Sequence, residues 1–169
     1  LGNDAHMEAQ LTAIDLTSIP ASMQAEVLEE IAEVRRRRQN YDGAVEAYNR
    51  ILGFSQNATY RALILRYQGE TLEEAGRTAE AAAVYQRLLR DYPSSSHAVT
   101  ALAALDKMGA AQIDDLERGR ILYYGWQYGQ AIEALERYIE ANPGGNMPRA
   151  HHFAGLAYEK LGQYGEALR

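Results

Sequence analysis

Four groups of side chains in this sequence are of the types that do chemistry. Arg35-Arg36-Arg37-Arg38 set four guanidiniums in a row, a set that could hold a phosphate, an acidic peptide or a cell-wall carboxylate. The other reading is a helix that ends there. Cations are favoured at a helix C-terminus, and Glu29, Glu30 and Glu33 stand about one turn earlier, placed to pair with them. The second reading is favoured. His151-His152 invites a metal, but neighbouring residues on a helix point about 100° apart. Neither a cysteine nor a third histidine lies close in sequence, so a surface or groove role is expected and no metal site. Asp114-Asp115-Glu117 could pass for a carboxylate cluster, yet they open a helix, where the dipole favours acids. The last group is tyrosine, twelve against two phenylalanines. Tyr123, Tyr124, Trp126 and Tyr128 stand together, and a rigid aromatic with a polar tip serves a core or a binding surface.

Other classes are excluded by what is missing. The sequence has no G-x-S-x-G, no phosphate-cradling glycine loop and no H-E-x-x-H. No catalytic residue, cofactor site or enzyme activity is expected of this stretch. It has no cysteine, hence no disulfide or thiolate chemistry. A net charge of -6 and a pI near 5.2 argue against nucleic acid as a partner, because phosphate binding needs a basic face. No run of about 18 apolar residues is present, so no membrane span is expected. The first residues lack a basic region followed by an apolar core, so no signal peptide is read in this stretch. The compartment stays open between the cytosol and the bacterial periplasm or envelope.

What must position these residues is helix. Ala, Leu, Glu, Arg and Gln are frequent and prolines number four, a composition that favours helical backbone. A period is visible. Ala32 and Ala44, Gly69 and Ala81, Gly119 and Ala131, and Gly155 and Ala167 are each twelve residues apart. Pro93 and Pro143 follow twelve residues after Ala81 and Ala131, and Tyr48, Tyr85 and Leu135 follow four after the alanine. Two antiparallel helices cross closely where both present small side chains, and the large residue one turn away fills the space between them. Turns are predicted at 40–43, 75–78, 124–127 and 161–163, with Gly76 and Gly162 in the left-handed conformation that ends a helix.

The resulting wording, clearest in 155–167 (GLAYEKLGQYGEA), resembles the tetratricopeptide repeat, a helix-turn-helix unit of about 34 residues. The expected fold is all-α, a right-handed α-solenoid of antiparallel helix pairs forming one helical-repeat domain over 1–169. Its parts are a leading helix and loop (1–20), repeats over 22–58, 59–95 and 112–147, and a truncated repeat over 148–169. One extra unpaired helix is predicted near 97–108, capped by Ser94-Ser95-Ser96 and stopped by Gly109, with Val99, Leu102 and Leu105 on one face. The leading helix is predicted over 4–14, and Pro20 in the first turn of the next. The first copy departs from the pattern: Arg35 stands at an apolar position and Gln56 at the closing proline. A stripe left open at Arg169 predicts further repeats or a covering chain, including self-association through that end.

The resemblance implies a scaffold that binds a protein or peptide partner along a concave groove lined by the first helix of each pair. Carried over position by position, that face holds Glu26, Glu29, Glu33 and Arg36, then Leu63, Arg66, Glu70 and Glu73. It continues with Ile113, Leu116, Arg120 and Tyr123, then Arg149, His152 and Glu159. The candidate contacts are Arg66, Glu70, Ile113, Leu116, Arg120, Tyr123, Arg149 and His152, with the third unit foremost. A purely structural role for the same residues stays open. More loosely, 116–132 is similar to the superhelical region of bacterial soluble lytic transglycosylases, which implies a non-catalytic part of a cell-envelope protein in a peptidoglycan context.

Overall fold

The computed structural model describes residues 2–110, 113–144 and 147–167. Among them the chain is helical and carries no strand: α1 Gly2–Thr12, α2 Ala21–Arg37, α3 Tyr41–Phe54, α4 Ala58–Glu74, α5 Thr78–Asp91, α6 Ser96–Met108, α7 Asp115–Tyr124, α8 Tyr128–Ala141, α9 Met147–Lys160 and α10 Tyr164–Ala167. One turn of 3-10 helix, Leu16–Ser18, follows α1, which ends earlier than predicted. Asp15 is the reason, since its carboxylate accepts from the Thr17 amide and caps the new turn. Residues 1–85 and 86–169 form two compact units.

Side chains set the helix starts. Asn40 accepts from the Gly43 amide, Asn57 from Tyr60 and Asp114 from Glu117, each satisfying an orphan donor of the first turn. Ser95 does the same for α6 through the His97 amide. Pro20 lies one residue before α2, not within its first turn.

The helix ends repeat a single geometry. Gln39, Gly76, Trp126 and Gly162 hold φ of 60°, 71°, 62° and 73°, and each stands seven residues after the small residue of its first helix. The next amide then reaches back to the helix: Asn40 to the Arg35 carbonyl, Arg77 to Leu72, Gln127 to Leu122 and Gln163 to Tyr158, at 2.8–2.9 Å. The turn predicted at 40–43 is therefore displaced to 38–40, and Gly43 is a buried residue inside α3. A Cβ there would lie 2.9 Å from Arg35 Cδ, so Gly43 admits the arginine.

In the first unit α1 packs on α2, α2 on α3 and α3 on α4. Gly69 of α4 receives the Tyr85 ring: an added Cβ would stand 2.6 Å from Tyr85 Cζ. The small residue thus makes room for the large one sixteen positions on, and not only for Ala81. Leu28, Ile31, Val34, Ile51, Ile64 and Leu65 fill the space between these helices. In the second unit Gly119 repeats the arrangement, with Leu135 Cδ2 at 2.8 Å from its virtual Cβ. There α7 packs on α8 and on α9, α8 packs on α9, and α9 on α10. Here α6 lies against α7. Its Val99 occupies the space where Gly125 lacks a side chain, while Ala98, Ala101, Leu102 and Leu105 are buried. The open stripe expected at the C-terminal end involves Leu168 and Arg169, which lie outside the described residues.

Candidate protein-binding surface

The four arginines are spent within the fold. Arg35 donates to Glu8 at 2.8 Å and to the Gly43 carbonyl at 2.9 Å, and Arg38 also pairs with Glu8. Arg37 reaches Asp4 at 3.1 Å, and Arg36 reaches Glu33 at 2.8 Å and Glu74 at 3.0 Å. Only Glu33 of the three glutamates one turn back is used; the main partners come from α1, 27 to 33 residues away. These guanidiniums hold the Glu8 and Asp4 carboxyls below their ordinary range. Arg35 is the residue that departs from the repeat pattern, and its contacts show what it does instead: it clasps α1 and the start of α3.

In the first unit, Glu26, Glu29, Glu30 and Glu33 of α2 and Tyr60, Tyr67 and Glu70 of α4 line neighbouring clefts. A cleft of about 280 Å³ lies among Glu29, Glu30, Glu33, Arg36, Tyr48, Tyr67 and Glu70. Arg66 pairs with Glu70 one turn along α4, and its guanidinium sits 4.6 Å above the centre of the Tyr67 ring. Glu73, expected on this face, accepts from the Tyr85 hydroxyl at 2.5 Å. Burial, then that carboxylate, raises the Tyr85 phenol. Tyr48 is pushed up to about 12, chiefly by burial. Tyr48, Tyr67 and Glu30 were missed on sequence, although the helical spacing of Glu26, Glu30 and Glu33 marks Glu30 as a neighbour of that face.

In the second unit the candidate residues divide. Ile113 and Arg120 line one cleft of about 360 Å³ with Leu89, Ile121, Gln86, Arg90, Asp114 and Glu117. Arg120 pairs with Glu117, and Arg149 reaches the other oxygen of that carboxylate at 3.5 Å. Arg120 Nε is buried and makes no hydrogen bond. Leu116, by contrast, is 6% exposed and belongs to the core with Leu135, Ala150, Phe153 and Ala154. It points away from solvent because the first turn of α7 packs against α9. Tyr123 is half-buried over the same cluster, with its ring 5.6 Å from Phe153, 5.5 Å from Tyr124 and 5.7 Å from Tyr128. His151 and His152 are exposed, and His152 stands edge-on to Phe153. Among the described residues no group of three or more His, Asp or Glu could hold a metal, and no helix is long and apolar enough to cross a membrane.

Paired helices locked by a glycine and a large residue, with identical left-handed ends, define a helical-repeat protein. A tetratricopeptide repeat family model matches residues 63–95, and a second model of the same description matches residues 116–169. The chain belongs to the tetratricopeptide repeat family, and as such is a scaffold for protein interaction. The α2–α3 pair, with Arg35 and Gln56 at its departures, lies outside both matches. No curated protein matches the chain. Among solved structures it is similar to the crystal structure of MamA protein at 23% identity and a TM-score of 0.40, covering 87% of each chain.

Proposed function

We propose that the chain binds a protein or peptide partner through the concave face carried by the first helices of its pairs. The observation that supports this reading is the cleft at the start of α7. Two residues singled out from the repeat pattern, Ile113 and Arg120, line it together. Leu89, Ile113 and Ile121 offer apolar surface for a side chain of the partner. The Arg120–Glu117–Arg149 group supplies donors and acceptors at its rim. Arg66 and Glu70 supply a second charged pair on α4. Leu116 is left out of the contact set, and Tyr123 serves by holding the α7 face against α9.

The test is affinity capture from the source cells with the wild-type chain and with an Ile113→Asp, Arg120→Glu double variant, each shown to be folded by circular dichroism. Partners identified by mass spectrometry should be depleted at least about tenfold by the variant, the scale of losing an interface anchor. Recovery of the same proteins in the same amounts by both forms would remove this face from the binding surface.

A further inference from the structure

The charge of the molecule is concentrated in one unit. Residues 1–85 hold eight arginines and thirteen carboxylates, which is -5 of the chain's net -6. Four of its arginines are engaged at the end of α2, Arg35, Arg37 and Arg38 by α1 and Arg36 by Glu33 and Glu74, while Arg66 and Arg77 pair with Glu70 and Asp42. Asp15 and Glu73 are held by Thr17 and the Tyr85 hydroxyl, and the other carboxylates without an ion pair among the described residues lie along α2. Glu26 and Glu30 have no ion-pair partner among the described residues, and Glu29 has only the Tyr60 hydroxyl. Glu26 and Glu30, and Glu29 and Glu33, are like charges one helical turn apart, an arrangement that costs about 0.2–0.5 kcal/mol for each pair.

Two clefts run beside this stripe and share Glu29. One is the cleft of about 280 Å³ described above, with Tyr48 and Tyr67 in its wall. The other, about 580 Å³, lies among Glu26, Glu29, Phe54 and Tyr60. Aromatic rings beside uncompensated carboxylates suit a cation with an apolar stem. The molecule already contains one such contact, because Arg66 rests on the Tyr67 ring while paired with Glu70.

We propose that this tyrosine-lined, acidic groove along α2 and α4 docks a basic, extended segment of a partner protein. The inference rests on the scaffold reading above and gives the partner of this part of its face a chemistry. Lysine or arginine side chains of the segment lie over Tyr67 and Tyr60, and their charged ends meet Glu30 and Glu26. From Glu26 to Glu33 the helix rises roughly 10 Å. An extended chain covers this length with about three residues. Binding relieves the repulsion along α2, so the occupant must bring at least two positive charges.

The experiment uses the whole chain and a fluorescein-labelled twelve-residue peptide of alternating Arg and Ser, read by fluorescence anisotropy at 150 mM salt. The wild type should bind it, and Glu26→Gln with Glu30→Gln should weaken binding about tenfold, as expected for groove-rim charges. Neither residue has a hydrogen-bond or ion-pair partner to lose among the described residues, and circular dichroism verifies that folding is retained. Glu133→Gln with Glu140→Gln, exposed residues of α8, makes the same change in net charge and should alter affinity by less than about twofold. A peptide with Gln in place of Arg should not bind. Equal losses in the two double variants would show attraction to the overall charge and overturn the proposal, as would failure of the wild type to bind. If the basic peptide fails while the Ile113→Asp, Arg120→Glu variant still loses its partners, this inference falls and the scaffold reading stands.

Discussion

Gly69→Ala is the sharpest perturbation of the repeat geometry. On an exposed helix this change stabilises by about 1 kcal/mol, because alanine restricts the unfolded chain. Here the added methyl would stand 2.6 Å from Tyr85 Cζ and 2.9 Å from Tyr85 Cδ1. Tyr85 is 1% exposed and anchored by its hydroxyl to Glu73 at 2.5 Å, so the ring has no free direction in which to retreat. Overpacking of this kind costs about 2 kcal/mol, and disturbing the hydrogen bond to the carboxylate adds about 1 kcal/mol. Setting the helix gain against these leaves a net loss of about 2 kcal/mol, or roughly 4–8 °C in Tm for a chain of this size. The control is Gly53→Ala, near the end of α3, where an added Cβ meets nothing within 4 Å; it should gain about 0.5–1 kcal/mol. Thermal and urea unfolding followed by circular dichroism at 222 nm measures both. If Gly69→Ala proves as stable as Gly53→Ala, the ring is not what requires glycine at that position, and the explanation of the period in terms of a glycine beneath a large residue is wrong.

Two further predictions concern the edges of the fold. Glu8 has its carboxyl held down first by its hydrogen bond to Arg35, so its contribution to stability is complete above the ordinary carboxylate range and is lost as pH falls through the lower, folded value. The protection factors of the α1 amides, their exchange rates corrected for the intrinsic fall with pH, should drop as the pH is taken from 6 toward 3. Glu8→Gln should show fast exchange there already at neutral pH, and exchange unchanged by either perturbation would mean that α1 is held by something else. Trp126→Gly should raise Tm by about 2–8 °C, because it removes a bulky residue from a left-handed position that costs about 1–2 kcal/mol; a fall in Tm would show that the exposed indole packs in solution.

The helix pairs were legible in the sequence because their determinants are local. Gly69 and Tyr85 are sixteen residues apart, and Gly119 and Leu135 likewise, so a single period discloses both the crossing and its filler. Gly76 and Gly162 could be placed in left-handed turns from residue type alone, and Gly109 at the end of a helix. Gln39 and Trp126 could not, since nothing about those residue types announces a positive φ. Their conformation is imposed by the backbone hydrogen bonds of the turn. The destination of the arginines was also hidden, because Glu8 and Arg35 are 27 residues apart in sequence and no period links them. On the candidate surface, the face of α7 read from the family placed Leu116 and Arg120 together. Packing separates them, because α9 covers the first and leaves the second in a cleft. Tyr48 was legible as the large residue four positions after Ala44 and Tyr67 only as part of a tyrosine-rich composition, and it took the positions of α3 and α4 to bring their rings within 6.3 Å of each other.

The sixteen-residue separation that joins Gly69 to Tyr85 and Gly119 to Leu135 also sets how the chain acquires its structure. Each such contact closes a short loop, an event that takes on the order of 100 ns once the flanking helices flicker into place. Because every pair can close on its own, folding has several starting points, and the ordered region grows from neighbour to neighbour. The same independence works in reverse. A pair can open while the one beside it stays intact, so the proposed binding face is exposed to local fraying one turn-linked hairpin at a time. A partner segment lying across adjacent pairs would suppress that fraying, and its affinity would then include the cost of holding neighbouring hairpins closed together.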